Sequence, residues 1–214
     1  MSANWYERHI LPTALDLVCG MPMMGRMRQQ VVPRAHGRVL EVGFGTGLNM
    51  RYYDKNRVTH ITGLDPGLQF HPLAQERIAQ SGLRVDLVGL SAEIIPLPDA
   101  RFDTVLITYT LCTIPNPQAA LLEMRRVLAP GGKLLYCEHG RAPDASVQRW
   151  QARLQPLWTP VAGGCQLGRD IAALLIDAGF ALPDLQTRYL RGPRPFSFHY
   201  WGEALAPGAV QSRA

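Results

Sequence analysis

From Gly37 onward, short apolar runs alternate with longer amphipathic stretches. Arg38–Val42 is an apolar run broken by Glu41, and it ends in Gly43-Phe44-Gly45-Thr46-Gly47. A run of this length bounded by glycines predicts a buried strand entering a tight turn. Val58–Leu64, Val85–Val88, Phe102–Thr108 and Lys133–Cys137 share that character and predict four more strands. Between them the pattern predicts a brief helix ending near Tyr53, a helix over Leu68–Gln80 closed by Ser81-Gly82, and a helix over Pro117–Leu128 stopped by Pro130-Gly131-Gly132. Strands alternating with helices imply an α/β fold, a doubly wound and mostly parallel sheet.

The flanks have a different rhythm. Ile10, Leu11, Ala14, Leu15, Leu17 and Val18 recur at helical steps and predict a helical arm over residues 1–30. Gly20, Pro22 and Gly25 interrupt it, and four methionines between positions 21 and 27 offer a soft apolar surface. Such an arm can pack on the core, close over a ligand with Gly20 and Gly25 as hinges, or do both. After His139, Ala145–Leu157 and Asp170–Ala178 read as helices, and Leu182–Leu190 and Pro195–Trp201 as closing strands. Pro193 and Pro195 cannot donate to a ladder, which favours an edge or a turn. The expected organisation is one domain over residues 1–206, with halves at 37–139 and 140–206, and a mobile tail at 207–214.

Composition narrows the function classes. A chain of 214 residues that is 47% hydrophobic and 18% charged can bury a core and is not a wholly disordered chain. Of the 22 basic residues behind a net charge of +5, only Lys55 and Lys133 are lysines. They are scattered rather than striped, which argues against nucleic acid as a partner. Cys19, Cys112, Cys137 and Cys165 form no C-x-x-C pair or sequence cluster with histidine, so no metal is expected. Reduced cysteines, no recognisable signal peptide and no long uncharged apolar stretch make a cytoplasmic protein the expectation. The sequence sets no oligomeric state.

The glycine turn carries the chemistry. A dinucleotide fingerprint, G-x-G-x-x-G, would need glycine where Leu48 stands; here the spacing is G-x-G-x-G, preceded by Glu41. Asp65 follows the second strand, where a carboxylate can accept hydrogen bonds from both hydroxyls of a ribose. The combination points to an adenosine-containing ligand without a pyrophosphate; a tight turn beside a solvated aspartate is the bland alternative. With these pieces, Gly63-Leu64-Asp65-Pro66, Ser91-Ala92-Glu93, Arg101-Phe102-Asp103 and the run from Glu123 to Gly132, the chain resembles the class I S-adenosylmethionine-dependent methyltransferases from Trp5 to Glu203. The resemblance implies a seven-stranded Rossmann-like sheet, S-adenosylmethionine as methyl donor and S-adenosylhomocysteine as product. It makes 37–139 the donor-binding half and 140–206 the acceptor side. It implies a donor site from Glu41, Gly43, Phe44, Gly45, Gly47, Asp65, Pro66, Ser91 and Ala92, with Thr108 and Tyr6 as further candidates. Many relatives have aspartate where Ser91 stands.

Thr110-Leu111-Cys112-Thr113-Ile114-Pro115, Glu138-His139, Gly164-Cys165-Gln166-Leu167-Gly168-Arg169 and His199-Tyr200-Trp201-Gly202 are similar to the methyltransferase-like thiol S-methyltransferases of animals and their bacterial relatives. That resemblance implies a small, rather apolar thiol as acceptor; the hydrophobic anchor of the animal proteins is not carried over. His139, at the carboxyl edge of the sheet, is the candidate proton acceptor, against a plain loop histidine. Glu138 can orient it or cap a helix. Arg169, His199 and Trp201 are candidates for the acceptor pocket, with ion-pairing or core packing as the alternatives. Cys112 and Cys165 read as small buried apolar residues. A phospholipid or quinone methyltransferase is the rival, since the basic balance and Met-rich arm suit peripheral contact with an anionic membrane. A non-catalytic donor-binding protein is the rival from another class.

Overall fold

The computed structural model describes residues 11–67 and 72–207. The arm forms two helices, α1 (Leu11–Cys19) and α2 (Pro22–Val31). The strands are β1 (Gly37–Val42), β2 (Val58–Leu64), β3 (Val85–Val88), β4 (Phe102–Thr108), β5 (Leu128–His139), β6 (Ala181–Tyr189) and β7 (Phe198–Leu205). The remaining helices are α3 (Pro72–Ser81), α4 (Pro117–Val127), α5 (Ala145–Val161), α6 (Ile171–Asp177) and the single turn α7 (Arg194–Ser197). The sheet order is 3-2-1-4-5-7-6, with β7 antiparallel to both β5 and β6.

Local chemistry explains most boundaries. Asn116 caps α4 by accepting the Ala119 N–H at 3.1 Å, with Pro117 at the first helical position where a missing N–H costs nothing. Asp170 caps α6 in the same way through Ala173. One apolar layer lies between the sheet and α4 and α6, around Leu121, Met124 and Leu175; the other joins Met27 and Val31 of α2 to Val39, Ile61 and Leu135. These two layers put the carboxyl ends of β1, β2, β4 and β5 along one rim.

Three readings need correction. β7 is an interior strand and starts at Phe198; Pro193 and Pro195 lie before it in a turn and α7, so they remove nothing from its ladder. Helix α5 continues through Pro156 and Pro160 to Val161, although each proline lacks an N–H for the helical ladder. Gly25 is not a hinge: it sits inside α2, and a side chain there would strike the Tyr52 hydroxyl. Gly20 does occupy the turn between the two arm helices. Trp5, Tyr6 and the tail beyond 207 lie outside the described residues.

Candidate active site

The glycine turn leaves β1 with Gly43, Gly45 and Gly47 at φ of 75°, 53° and 77°, backbone that side chains disfavour. A side chain at Gly43 would also overlap Thr110. The Gly43 N–H donates to the Leu64 carbonyl at 2.8 Å, pinning the turn to the end of β2. Asp65 completes it: its carboxylate accepts the Gly45 N–H at 2.8 Å and the Gly67 N–H at 2.9 Å. The loop and the acid are thus one backbone-built unit.

Behind this unit lies a buried polar chain. Glu41 is buried and accepts from Tyr53 Oη at 2.6 Å and Asn49 Nδ2 at 2.9 Å. Burial pushes its carboxyl up to about 7, against those two hydrogen bonds. The same Asn49 amide reaches Thr108 Oγ1 at 3.0 Å, and Asn49 Oδ1 accepts from Arg28 Nε at 3.0 Å. Arg28 of α2 is buried; it donates to the Cys19 carbonyl at 2.6 Å and lies 4.9 Å over the Tyr109 ring. A second tie runs from α1, where Asp16 accepts from Thr46 Oγ1 and from Arg77, both at 2.5 Å. The arm is therefore fastened to the glycine turn at two points.

Between the arm and the rim of the sheet is a cavity of about 530 Å³, in the range of small-molecule sites. Leu11, Leu15, Met21, Met23 and Met24 of the arm supply one apolar wall. Gly43, Phe44, Gly45, Asp65 and Thr108 face it from the sheet side, as do His139 and His199 farther along the rim. Arg28 and Asn49 also line it, and no sequence pattern singled them out.

At the far end the geometry converges on sulfur. Tyr109 follows β4 at a φ of 54°, a conformation rare for a bulky residue. Glu138 is fully buried, and its Oε1 accepts the N–H groups of Thr110 (2.8 Å) and Leu111 (3.1 Å). It fixes the turn that carries Cys112, and burial pushes its carboxyl up to about 7. His139 Nε2 lies 3.2 Å from Cys165 Sγ. The Cys112 thiol joins them, so that the three ligand-type atoms lie within 4.8 Å of one another. The Cys112 contact, helped by His139, draws the Cys165 thiol below the usual thiol range against burial, while Cys112 is driven well above it. Burial works against protonation of His139, but the Cys165 contact outweighs it and its pKa rises. His199 is the opposite case: burial pushes it down to about 4, and its Nδ1 sits 2.9 Å from the Ser197 carbonyl.

Cys112, His139 and Cys165 form no cluster in sequence, but the fold gathers them from the turn after β4, the end of β5 and the loop after α5. His139 faces a cysteine of its own chain as well as the cavity. Several other candidates stand off the cavity wall. Glu41 and Glu138 act from behind it. Arg169 donates to the Leu111 carbonyl and faces a separate surface hollow with Gln151. Trp201 packs among Met27, Leu106 and Cys137, with Arg188 5.2 Å over its ring. Gly47, Pro66 and Ser91 do not line the cavity, and Ala92 packs with Ile95 in the core.

Residues 40–136 match the model of a methyltransferase domain. The chain is 32% identical over 182 residues to thiol S-methyltransferase TMT1B of Homo sapiens, covering 80% of this chain and 72% of that protein. It is 35% identical over 124 residues to phosphatidylethanolamine N-methyltransferase of Cereibacter sphaeroides, covering 56% of this chain and 60% of the relative. The fold is similar to that of the N-methyltransferase NodS from Bradyrhizobium japonicum, solved with S-adenosylhomocysteine, at a TM-score of 0.63, 16% identity and 93% coverage of each chain. With a sheet of order 3-2-1-4-5-7-6, a glycine turn closed by a strand-end aspartate and these relatives, the chain belongs to the class I S-adenosylmethionine-dependent methyltransferases.

Proposed function

We propose that the protein transfers the methyl group of S-adenosylmethionine to the sulfur of a small, rather apolar thiol. The donor's methionine end is assigned to Gly43–Gly45, its ribose to Asp65 and its adenine to the side of Ser91-Ala92. Arg28 is a buried cation on the cavity wall and suits the donor's carboxylate. The acceptor then enters between the arm methionines and the rim, with its sulfur towards His139.

The observation that carries this reading is the far end of the cavity, where an imidazole and two thiols, His139, Cys112 and Cys165, come together on a largely apolar wall. Methyl transfer needs the acceptor in line with the sulfonium, with reacting atoms about 3–3.5 Å apart. A thiol must also react as thiolate, and the His139 imidazole is the group on this wall placed to take its proton. The similarity to TMT1B, named a thiol S-methyltransferase, agrees with that chemistry.

The second reading, methylation of a lipid headgroup, is favoured by one surface feature. Leu17, Val18 and Met21 of the arm and Leu157 and Val161 of α5 are exposed apolar side chains. No described helix is long and apolar enough to cross a membrane, so this contact would be peripheral. Release of S-adenosylhomocysteine across a panel of thiols, amines, phenols and phospholipid vesicles decides between the readings. Thiol turnover in buffer is the expected result. Turnover of amines or lipids with none of the thiols would overturn it, and no release with any acceptor would leave only donor binding.

A further inference from the structure

We propose that Cys112, His139 and Cys165 bind a zinc ion at the acceptor end of the cavity, and that its open fourth position takes the acceptor thiol. The fourth-ligand role rests on the thiol reading; the metal site itself rests on geometry.

The three donors come from the turn after β4, the end of β5 and the loop after α5, yet their ligand atoms lie within 4.8 Å of one another. Zinc bonds of about 2.3 Å to sulfur and about 2.05 Å to nitrogen, at tetrahedral angles, place such atoms roughly 3.5–3.8 Å apart. The observed 3.2 Å between Cys165 Sγ and His139 Nε2 is a few tenths of an ångström short of this, and the 4.8 Å that bounds the set is about 1 Å beyond it, a difference that side-chain rotation of Cys112 would have to close. Two sulfurs and an imidazole suit zinc and do not suit magnesium or calcium, which take oxygen. Three protein ligands with one open position is the composition of a catalytic zinc site rather than a closed structural one.

The surroundings hold the ligands in place. Glu138 fixes the backbone of Thr110 and Leu111 just before Cys112. The Gln166 N–H donates to the Cys112 carbonyl at 2.9 Å, joining the two cysteine segments directly. Gln155 Nε2 donates to the Cys165 carbonyl at 2.9 Å. The indole N–H of Trp158 is buried beside this group and directed at the Cys165 sulfur, as suits a donor to a metal-bound thiolate. All three ligands line the cavity that the glycine turn lines from the other side, so the open position faces the donor.

The chemistry balances. An acceptor R–SH loses its proton to solvent as its sulfur binds zinc. A lone pair on that sulfur forms the new S–CH₃ bond while the donor's S⁺–CH₃ bond breaks, its electron pair returning to the donor sulfur. The products are S-adenosylhomocysteine and the neutral thioether R–S–CH₃, a weaker ligand than the thiolate, which leaves. His139 is then a ligand rather than a free base.

The test begins without substrate. The purified full-length chain is stripped with a chelator and titrated with zinc against a chromophoric competitor, and in parallel with cobalt. The expected result is one tightly held zinc per chain and a sulfur-to-cobalt charge-transfer band. Cys112→Ser and Cys165→Ser should each weaken zinc by more than the roughly 10–100-fold typical of losing an outer-shell partner, and should diminish the band. Zinc should raise the melting temperature of the wild type and not of a folded Cys112→Ser variant. Cys19→Ser should keep its zinc; loss there would mean that the arm closes the fourth position and would overturn the open site. No charge-transfer band in the wild type, zinc affinity indifferent to Cys112 and Cys165, or a Cys112–Cys165 disulfide in reduced preparations would each overturn the metal site. Full thiol turnover by the metal-free enzyme overturns the zinc role and leaves the thiol reading standing. A zinc-bound enzyme that methylates only amines does the reverse.

Discussion

The two ends of the cavity are built by opposite means. The end we assign to the donor is mostly backbone: one contiguous turn from Gly43 to Gly47, closed by Asp65 through two N–H groups. The end we assign to the acceptor is made of side chains: Cys112 from the turn after β4, His139 from the end of β5 and Cys165 from the loop after α5. A backbone-built site imposes its demand on the residue, since φ values of 53° to 77° call for glycine. A side-chain site imposes nothing of the kind, and each member taken alone is an ordinary buried cysteine or histidine.

If the two ends are separable, variants should affect one and spare the other. His139→Ala should slow thiol methylation at pH 7, by about 10²–10⁴ where the imidazole takes the thiol proton and with loss of bound zinc where it serves as a ligand, while donor affinity stays unchanged by calorimetry. Equal losses in turnover and donor affinity would break the separation.

The support behind the donor end should show in stability. Burial raises Glu41 from 4.5 to about 7 in the folded chain. Between those values the folded chain keeps a proton that the unfolded chain releases, so stability falls as pH rises and levels off above the folded value. Glu41→Gln removes this component, of order 3 kcal/mol. Urea denaturation of the ligand-free protein should therefore show a flatter pH dependence in the variant than in the wild type. Identical slopes would mean that Glu41 titrates normally.

Asp65→Ala should weaken S-adenosylmethionine by roughly 1.5–3 kcal/mol, the range for hydrogen bonds to a charged group, and leave cobalt binding at the acceptor end intact. Unchanged donor affinity would remove Asp65 from the ribose site.

The smallest effect concerns the arm. S-adenosylhomocysteine should slow amide exchange over residues 11–31, and Asp16→Asn should cut that protection by about 1 kcal/mol through its contacts with Thr46 and Arg77. Exchange that ignores the ligand would leave the arm a packing element alone.

The same contrast explains what the sequence revealed. The glycine turn, Asp65 and the alternating strands are local patterns, and the sheet follows from them. Arg28 and Asp16 gave no signal because their partners, Asn49 and Arg77, are distant in sequence and ordinary in type. Glu138 was legible as a residue at the rim but not in its direction, since only the fold shows it turned inward to two N–H groups. The start of β7 differs because the strand expected over Pro195–Trp201 takes in residues 195–197, which close the single turn α7 before it.

The position of β7 also governs how the chain can be made. It is the last strand in sequence, yet it lies between β5 and β6 in the sheet. Until Phe198–Leu205 has left the ribosome, β5 presents an unpaired edge, and β6 lacks the one neighbour that the order assigns to it. Exposed edges of this kind recruit other chains. The sheet therefore closes late: β6 and β7 pair as near neighbours in sequence, but β7 must also find β5, whose paired residues are far from it along the chain. A nascent or truncated chain ending before Phe198 carries a nearly complete donor half beside two open edges, and aggregation is its expected fate.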